Sequence, residues 1–294
     1  MPASQYLEPV LLRRLERLDL LSRRRVARTF MGERRSSQRG SSMNFVDYRQ
    51  YVPGDDVTQI DWNVYARHDN LVVKLFEDEQ NVTVHLLVDN SGSMDWGEPN
   101  KLRLALQLAG ALGYVGLSNF DRVQCATFSD TLGASFGPAR NKREAQNLFA
   151  YLSTVQPAGE TNFEASLRTY AAQNRRPGMA ILISDLLSHS SFELGIKQLL
   201  ERHFEVVLLH VLAPAEVRPA IGGDLKLIDR ETGRFVDVTL NQRALNLYQE
   251  RYARWTGGIE HFCARHGVMY ERIESTEPLD TLLFSRLRKR GLIA

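Results

Sequence analysis

The chain has little cysteine and no long apolar run. Cys125 and Cys263 are the only two cysteines among 294 residues, and their spacing matches neither a disulfide framework nor a zinc motif. Both are therefore predicted to be buried free thiols. No run of about 18 apolar residues occurs, and the N-terminus lacks the apolar core and cleavage site of a secretory signal. We expect a cytoplasmic protein without a membrane span.

The sequence also lacks the motifs of the common catalytic sites. None of its seven histidines has metal-binding spacing, and no phosphate loop, glycine fingerprint or Ser-His-Asp order is found. His85 and His210 lie within apolar strands and are predicted to be hydrogen-bonded core residues. Binding is therefore favoured over catalysis. A metal-dependent hydrolase or phosphatase that uses Asp89 is the alternative, although Ser91 stands where such a phosphatase needs a second acid.

Net charge is small but unevenly distributed. The formal charge is +2, and the 43% hydrophobic and 24% charged fractions are ordinary for a soluble globular protein. Residues 1–40 nevertheless contain ten arginines and only four acidic residues. Such an arm can meet nucleic acid, an acidic partner or an anionic surface. Without interleaved aromatic residues, nucleic-acid binding is the less favoured alternative, and we expect a solvated or partner-facing arm.

Apolar strands alternate with amphipathic helices from residue 82 onward. Strands are predicted at 82–88, 122–128, 131–136, 179–184, 205–212 and 267–273, and helices at 101–118, 144–155, 161–176, 192–203, 240–266 and 281–290. This order predicts an α/β fold with a doubly wound, mainly parallel sheet in residues 81–294. Segments 224–229 and 234–239 flank a glycine turn and predict a small antiparallel hairpin excursion. Residues 1–80 are predicted to form an N-terminal extension that starts with a helix over 7–27.

Three oxygen-bearing side chains follow the first strand of this sheet. Asp89, Ser91 and Ser93 stand at alternate positions, so they can point to one side and converge. Ligand sites collect at the carboxyl ends of parallel strands. Hard oxygen donors of this kind suit Mg²⁺ or Mn²⁺. The residues therefore predict a divalent-metal site, while a capped helix start is the structural alternative.

Thr161 and Asp185 fall at two further strand-to-helix junctions and are expected at the same edge of the sheet. The motif Asp89-x-Ser91-x-Ser93 with a later Thr161 and Asp185 resembles the metal-ion-dependent adhesion site of von Willebrand factor type A domains. The resemblance covers residues 81–273. It implies direct ligation by Ser91, Ser93 and Thr161, with Asp89 and Asp185 holding the metal through water. It further implies that an acidic side chain of a protein partner completes the coordination.

The preceding segment carries a second signature, RxYxxGDDxxxIDW. It is similar to the signature of the bacterial domain-of-unknown-function family fifty-eight (DUF58), whose members are often associated with MoxR-type AAA+ ATPases. The resemblance implies an adaptor or co-chaperone of such an ATPase. Asp55, Asp56 and Asp61 are interpreted as a structural turn with ion pairs to Arg49 or Arg67, and the alternative is a functional surface. Trp62 is interpreted as a core residue. The signature residues are Arg49, Tyr51, Gly54, Asp55, Asp56, Asp61 and Trp62.

The chain departs from these patterns at two positions. Thr58 stands where the family usually has arginine, which weakens any anion-binding role there. Glu160 stands where a second glycine commonly precedes the site threonine. The Glu160 carboxylate is therefore a candidate to contact the metal ligands or to occupy the open coordination position itself.

Overall fold

The computed structural model describes residues 7–22, 43–52, 60–68, 70–78, 82–219, 223–228 and 233–294. Residues 23–40 of the arginine-rich segment lie outside these ranges, as do Thr58 and the signature residues Gly54, Asp55 and Asp56. The chain divides into two compact units, one of residues 1–22 with 82–294 and one of residues 23–81. Across the described segments, every helix is too short or too polar to cross a lipid bilayer.

The elements are numbered here in chain order. The first are α1 (Pro9–Leu15), β1 (Met43–Gln50), α2 (Trp62–His68), β2 (Val72–Asp78), β3 (Thr83–Asp89), α3 (Lys101–Ser118), β4 (Arg122–Phe128), β5 (Leu132–Ala139), α4 (Ala145–Thr154) and α5 (Phe163–Gln173). They continue with β6 (Met179–Ser184), α6 (Phe192–Glu201), β7 (Glu205–Leu212), α7 (Pro214–Val217), β8 (Gly223–Ile228), β9 (Phe235–Leu240), α8 (Gln242–His266), β10 (Met269–Glu274) and α9 (Leu279–Thr281).

The larger unit is built on a six-stranded sheet with the strand order β10-β7-β6-β3-β4-β5. The first five strands in this order are parallel, and β5 is antiparallel to β4. All residues of β6 and nearly all of β3 are buried, as expected for strands covered on both faces. The predicted α/β fold with a mainly parallel sheet is confirmed, and so is the antiparallel hairpin, formed by β8 and β9.

Side chains of β3 alternate between two hydrophobic cores, because successive residues of a strand point to opposite faces. Leu86 and Val88 join the core beneath α1, α3 and α4, while Leu87 joins the core beneath α5, α6 and α8. Both cysteines are buried and free, as predicted. The helices thus fix the sheet from both sides and leave its carboxyl edge to the loops.

The terminal helices differ from the predictions. Helix α1 ends at Leu15 rather than continuing to residue 27, and Leu20 instead forms a β-bridge with Ile293 near the C-terminus. Apolar spacing alone cannot reveal a pairing between two residues so distant in the chain. At the other end, the helix predicted at 281–290 is α9 followed by one π-helical segment, Leu282–Leu287.

In the smaller unit, β1 and β2 form an antiparallel pair and α2 lies between them in sequence. Strand β1 and helix α2 were missed by the sequence analysis. The prediction that Trp62 is a core residue is wrong, because its side chain is 59% exposed and packs edge-on against Tyr65. Asp61 is buried and accepts hydrogen bonds from the Tyr48 hydroxyl and the Asn63 amide, so it has a structural role at the start of α2.

Candidate metal site at the carboxyl edge of the sheet

Four of the five predicted site residues meet where β3 ends. Asp89 is the last residue of β3, and Ser91 and Ser93 follow in a short 3-10 turn. Thr161 lies just before Asn162, the N-cap of α5. Asp185 follows β6, which is the direct neighbour of β3 in the sheet. The parallel register places Asp89, Ser91, Ser93 and Asp185 at one edge. Thr161 reaches this edge from the loop between α4 and α5, so the prediction that it stands at a strand-to-helix junction is wrong.

The distances show which of these side chains are in contact. The Thr161 hydroxyl lies 3.4 Å from Oδ1 and 3.3 Å from Oδ2 of Asp89. The Ser91 amide donates to Asp89 Oδ1 at 3.0 Å, and the Ser91 and Ser93 hydroxyls are 3.1 Å apart. Asp89, Ser91 and Thr161 are buried, and Ser93 is half-buried. We refer to Asp89, Ser91, Ser93 and Thr161 as the oxygen cluster.

Asp185 is engaged by a residue that no motif indicated. Its Oδ2 accepts a hydrogen bond from the Lys101 ammonium at 2.6 Å, and its Oδ1 accepts one from the Leu187 amide at 3.0 Å. The Lys101 side chain is completely buried. The same ammonium lies 2.5 Å from Oε1 of Glu216, whose Oε2 accepts the Ala213 amide at 2.7 Å. Lys101 thus forms a buried ion pair with two carboxylates.

Burial and mutual repulsion dominate the electrostatics of this edge. Burial, assisted by the nearby Asp185 carboxylate, raises the pKa of Asp89 to about 7 against the hydrogen bonds from Ser184 and Ser91. Burial also raises the pKa of Glu216 despite the attraction of Lys101. Although burial opposes the charged form of Lys101, Asp185 and Glu216 together raise its pKa. Burial therefore favours the protonated forms of Asp89 and Glu216, and a cation beside Asp89 would favour its ionised form.

The donor types of the oxygen cluster fit a small hard cation. Three hydroxyls and a carboxylate are ligands that Mg²⁺ and Mn²⁺ accept, and zinc or copper would favour nitrogen or sulfur. Within the described part of the chain, no group of three or more His, Cys, Asp and Glu residues has the arrangement of a metal site. A metal held here would depend on the hydroxyl oxygens of Ser91, Ser93 and Thr161.

Three functional candidates were missed from sequence. Ser184 donates from its hydroxyl to Asp89 Oδ2 at 2.6 Å, and Lys101 and Glu216 form the ion pairs described above. The sequence placed Ser184 at the end of a predicted strand, directly before Asp185, but its contact with Asp89 depends on the pairing of β3 with β6, in which Val88 lies opposite Ile183. Lys101 and Glu216 carry no such signal, since a lysine or glutamate at the end of a helix is ordinarily exposed.

The other residues singled out from the sequence are Glu160 and two histidines. Glu160 is exposed at the edge, one residue before Thr161. His210 is buried and hydrogen-bonds from Nε2 to the Asp185 carbonyl at 2.9 Å, and its burial lowers its pKa to about 3. His85 is also buried, with its pKa lowered by burial to about 4. Both histidines are core residues, as predicted.

Comparison with known proteins places the chain among proteins whose function is not assigned. Residues 47–256 match the family model described as "Protein of unknown function DUF58". Uncharacterized proteins of Mycobacterium bovis (Mb1516) and Mycobacterium tuberculosis (Rv1480) are each 28% identical over 295 residues, covering 98% of this chain and 92% of theirs.

Solved structures show only distant similarity. The conserved hypothetical protein BatB from Bacteroides thetaiotaomicron is 15% identical, covers 72% of this chain and 99% of its own, and has a TM-score of 0.46. An aerotolerance-related membrane protein from Bacteroides fragilis is 17% identical, covers 71% of this chain and 100% of its own, and has a TM-score of 0.44.

Proposed function

The chain belongs to the DUF58 family, and we propose that it is a divalent-metal-dependent protein-binding module without catalytic activity. In this proposal the larger unit is a domain of the von Willebrand factor A type and its carboxyl edge is a metal-ion-dependent adhesion site. Ser91, Ser93 and Thr161 would ligate Mg²⁺ or Mn²⁺ directly, while Asp89 and Asp185 would hold it through water. Support comes from the parallel sheet and from the position of all five residues at its carboxyl edge.

One observation carries the proposal: the oxygen cluster belongs to a largely buried group that contains three carboxyls and one ammonium. Asp89, Asp185 and Glu216 contribute three carboxyl groups, and Lys101 is the ammonium that contacts two of them. Two negative charges remain when all four groups are ionised. A divalent cation would supply the missing charge, and the hydroxyls beside Asp89 would supply neutral ligands for it.

The proposed partner presents an acidic side chain to the metal. Three direct hydroxyl ligands do not saturate an octahedral cation, so the remaining positions would be taken by water held by Asp89 and Asp185 or by a partner's carboxylate. Following the signature resemblance, we propose a MoxR-type AAA+ ATPase as that partner, with the protein acting as its adaptor or co-chaperone in the cytoplasm. Among the residues that the structure describes, none beside the cluster is recognisable as a catalytic base, which favours binding over hydrolysis.

Titration calorimetry with Mn²⁺ and Mg²⁺ tests the metal site. Wild type is expected to bind one cation, and Asp89→Ala and Thr161→Ala are expected to lose at least about tenfold in affinity. Thr161→Ala removes a direct oxygen ligand, and Asp89→Ala removes a carboxylate that holds metal-bound water. Thr169→Ala is the matched control, since Thr169 is an exposed threonine of α5 whose hydroxyl bonds the Ala165 carbonyl. Absence of binding to wild type, or equal binding to wild type and Asp89→Ala, would exclude the site.

Partner binding is tested separately with the purified ATPase encoded by the same organism. Surface plasmon resonance is run with Mg²⁺ present and again with excess chelator. The bridging proposal expects the complex to be lost in chelator and in Ser91→Ala, and retained in the control Ser153→Ala, whose hydroxyl bonds within α4. Equal affinity with and without the metal would show that the cation does not form the bridge.

A further inference from the structure

Lys101 occupies a position that is unfavourable for a lysine unless nearby carboxylates compensate it. It is the first residue of α3, where the helix dipole repels positive charge, and its side chain is completely buried. The preceding Asn100 caps the helix by accepting the Arg103 amide at 3.0 Å, so Lys101 has no role in capping. Its position is explained by the two carboxylates that it contacts, Asp185 and Glu216.

These two contacts differ in their surroundings. Asp185 follows β6 and is one of the proposed metal-holding residues. Glu216 lies in α7, far from the oxygen cluster in sequence, and α7 is hydrogen-bonded to α8. The Tyr248 hydroxyl donates to the Glu216 carbonyl, and the Gln249 side chain donates to the Val217 carbonyl at 3.0 Å. Lys101 therefore connects the metal-site carboxylate to a carboxylate that α8 holds in place.

We propose that Lys101 and Glu216 are positioning residues that set the affinity of the metal site in opposite directions. The Lys101 ammonium and a bound cation would both be attracted to Asp185 and would repel each other. Glu216 offsets part of the ammonium charge and would thereby weaken this competition. The inference rests on the proposed metal site and adds that this chain carries an internal cation which lowers the affinity of that site for the metal.

The sign of the affinity change distinguishes this role from a structural one. Lys101→Met removes the competing charge while retaining an apolar stem, so Mn²⁺ affinity is expected to rise by about tenfold or more. Glu216→Gln leaves the ammonium less well compensated, so Mn²⁺ affinity is expected to fall by about tenfold. Damage to the fold would lower affinity in both variants. Lys197→Met on α6 and Glu250→Gln on α8 are exposed controls that should match wild type.

Calorimetry on the full chain, with thermal unfolding of each variant as a check on folding, decides between the outcomes. Opposite shifts support the inference, and a fall or no change in both variants overturns it. If Lys101→Met does not fold, Lys101→Gln is measured in its place, and a fall or no change in its Mn²⁺ affinity overturns the inference. Metal binding that is lost in Asp89→Ala but unaffected by these variants refutes only this inference. No metal binding to wild type refutes the proposed function and the inference together.

Discussion

The Ser184 hydroxyl donates a hydrogen bond of 2.6 Å to Oδ2 of Asp89, across two adjacent parallel strands. The same Ser184 oxygen accepts the Leu186 amide at 2.9 Å. It therefore connects the end of β6 to the carboxylate at the end of β3. This contact fixes Oδ2 of Asp89 at the end of the sheet, while Oδ1 accepts the Ser91 amide.

Replacing this hydroxyl should weaken both the fold and the site. Ser184→Ala leaves the buried Oδ2 of Asp89 with only the longer contact to the Thr161 hydroxyl at 3.3 Å, so we expect a loss of about 1–3 kcal/mol in the free energy of unfolding. Metal affinity should fall by about tenfold, as for other residues that orient a ligand. Urea unfolding and Mn²⁺ titration measure the two effects. Ser153→Ala is the control, and equal stability of the two variants would show that the Ser184 contact contributes nothing.

His85 should make the fold sensitive to acid. It is buried, hydrogen-bonded through Nδ1 to the Tyr170 hydroxyl at 2.8 Å and packed against Phe204, and burial lowers its pKa to about 4. Because folding favours the neutral ring, its contribution to stability is complete above the unfolded pKa of about 6.5 and is lost as the pH falls toward 4.

The test compares the pH dependence of unfolding in wild type and His85→Gln. The stability advantage of wild type is expected to shrink by up to about 3 kcal/mol between pH 7.5 and 4. Comparing the two proteins at each pH cancels the contributions of other titrating groups. A constant difference across this range would mean that His85 is protonated equally in the folded and unfolded states.

Gly178 should tolerate no side chain. A Cβ built at this position would lie 1.9 Å from the Thr83 carbonyl oxygen, and a backbone oxygen within a buried sheet cannot move aside. Gly178→Ala is expected to lower the unfolding free energy by at least about 3 kcal/mol. Gly257→Ala on α8 meets no atom within 4 Å and is expected to stabilise by about 0.5–1 kcal/mol. Chemical unfolding measures the free energy of both variants, and a Gly178→Ala variant as stable as wild type would contradict the close contact with the Thr83 carbonyl.

Phe120 should be a position where the fold can be improved. Its backbone is left-handed with φ of 58°, and its side chain is 63% exposed, so little packing offsets the strain. Phe120→Gly is expected to raise the unfolding free energy by about 1 kcal/mol, because glycine adopts this conformation without a Cβ clash. Phe120→Ala keeps the Cβ and should not stabilise. Thermal unfolding compares Phe120→Gly with Phe120→Ala, and equal melting temperatures of these two variants would show that the left-handed turn carries no strain.

Much of the architecture could be predicted from local pattern. The apolar runs that become β3, β6 and β7 and the amphipathic stretch of α3 lie within a few residues of their predicted bounds. Strands and helices of this kind are recognisable because burial repeats with the period of the element. Strand β1 and helix α2 were missed because their segment is rich in polar and turn residues, and periodicity gives no signal there.

The sequence by itself determined the order of the strands and main helices in residues 82–294, the α/β class and the placement of Asp89, Ser91, Ser93 and Asp185 after the ends of β3 and β6. Those features follow from residue spacing, which the sequence contains directly. The tertiary structure alone decided that Asp185 contacts Lys101, that Glu216 shares the same ammonium and that Trp62 is exposed. Such contacts join residues far apart in the chain, and a charged side chain is buried only where the fold brings an opposite charge to it.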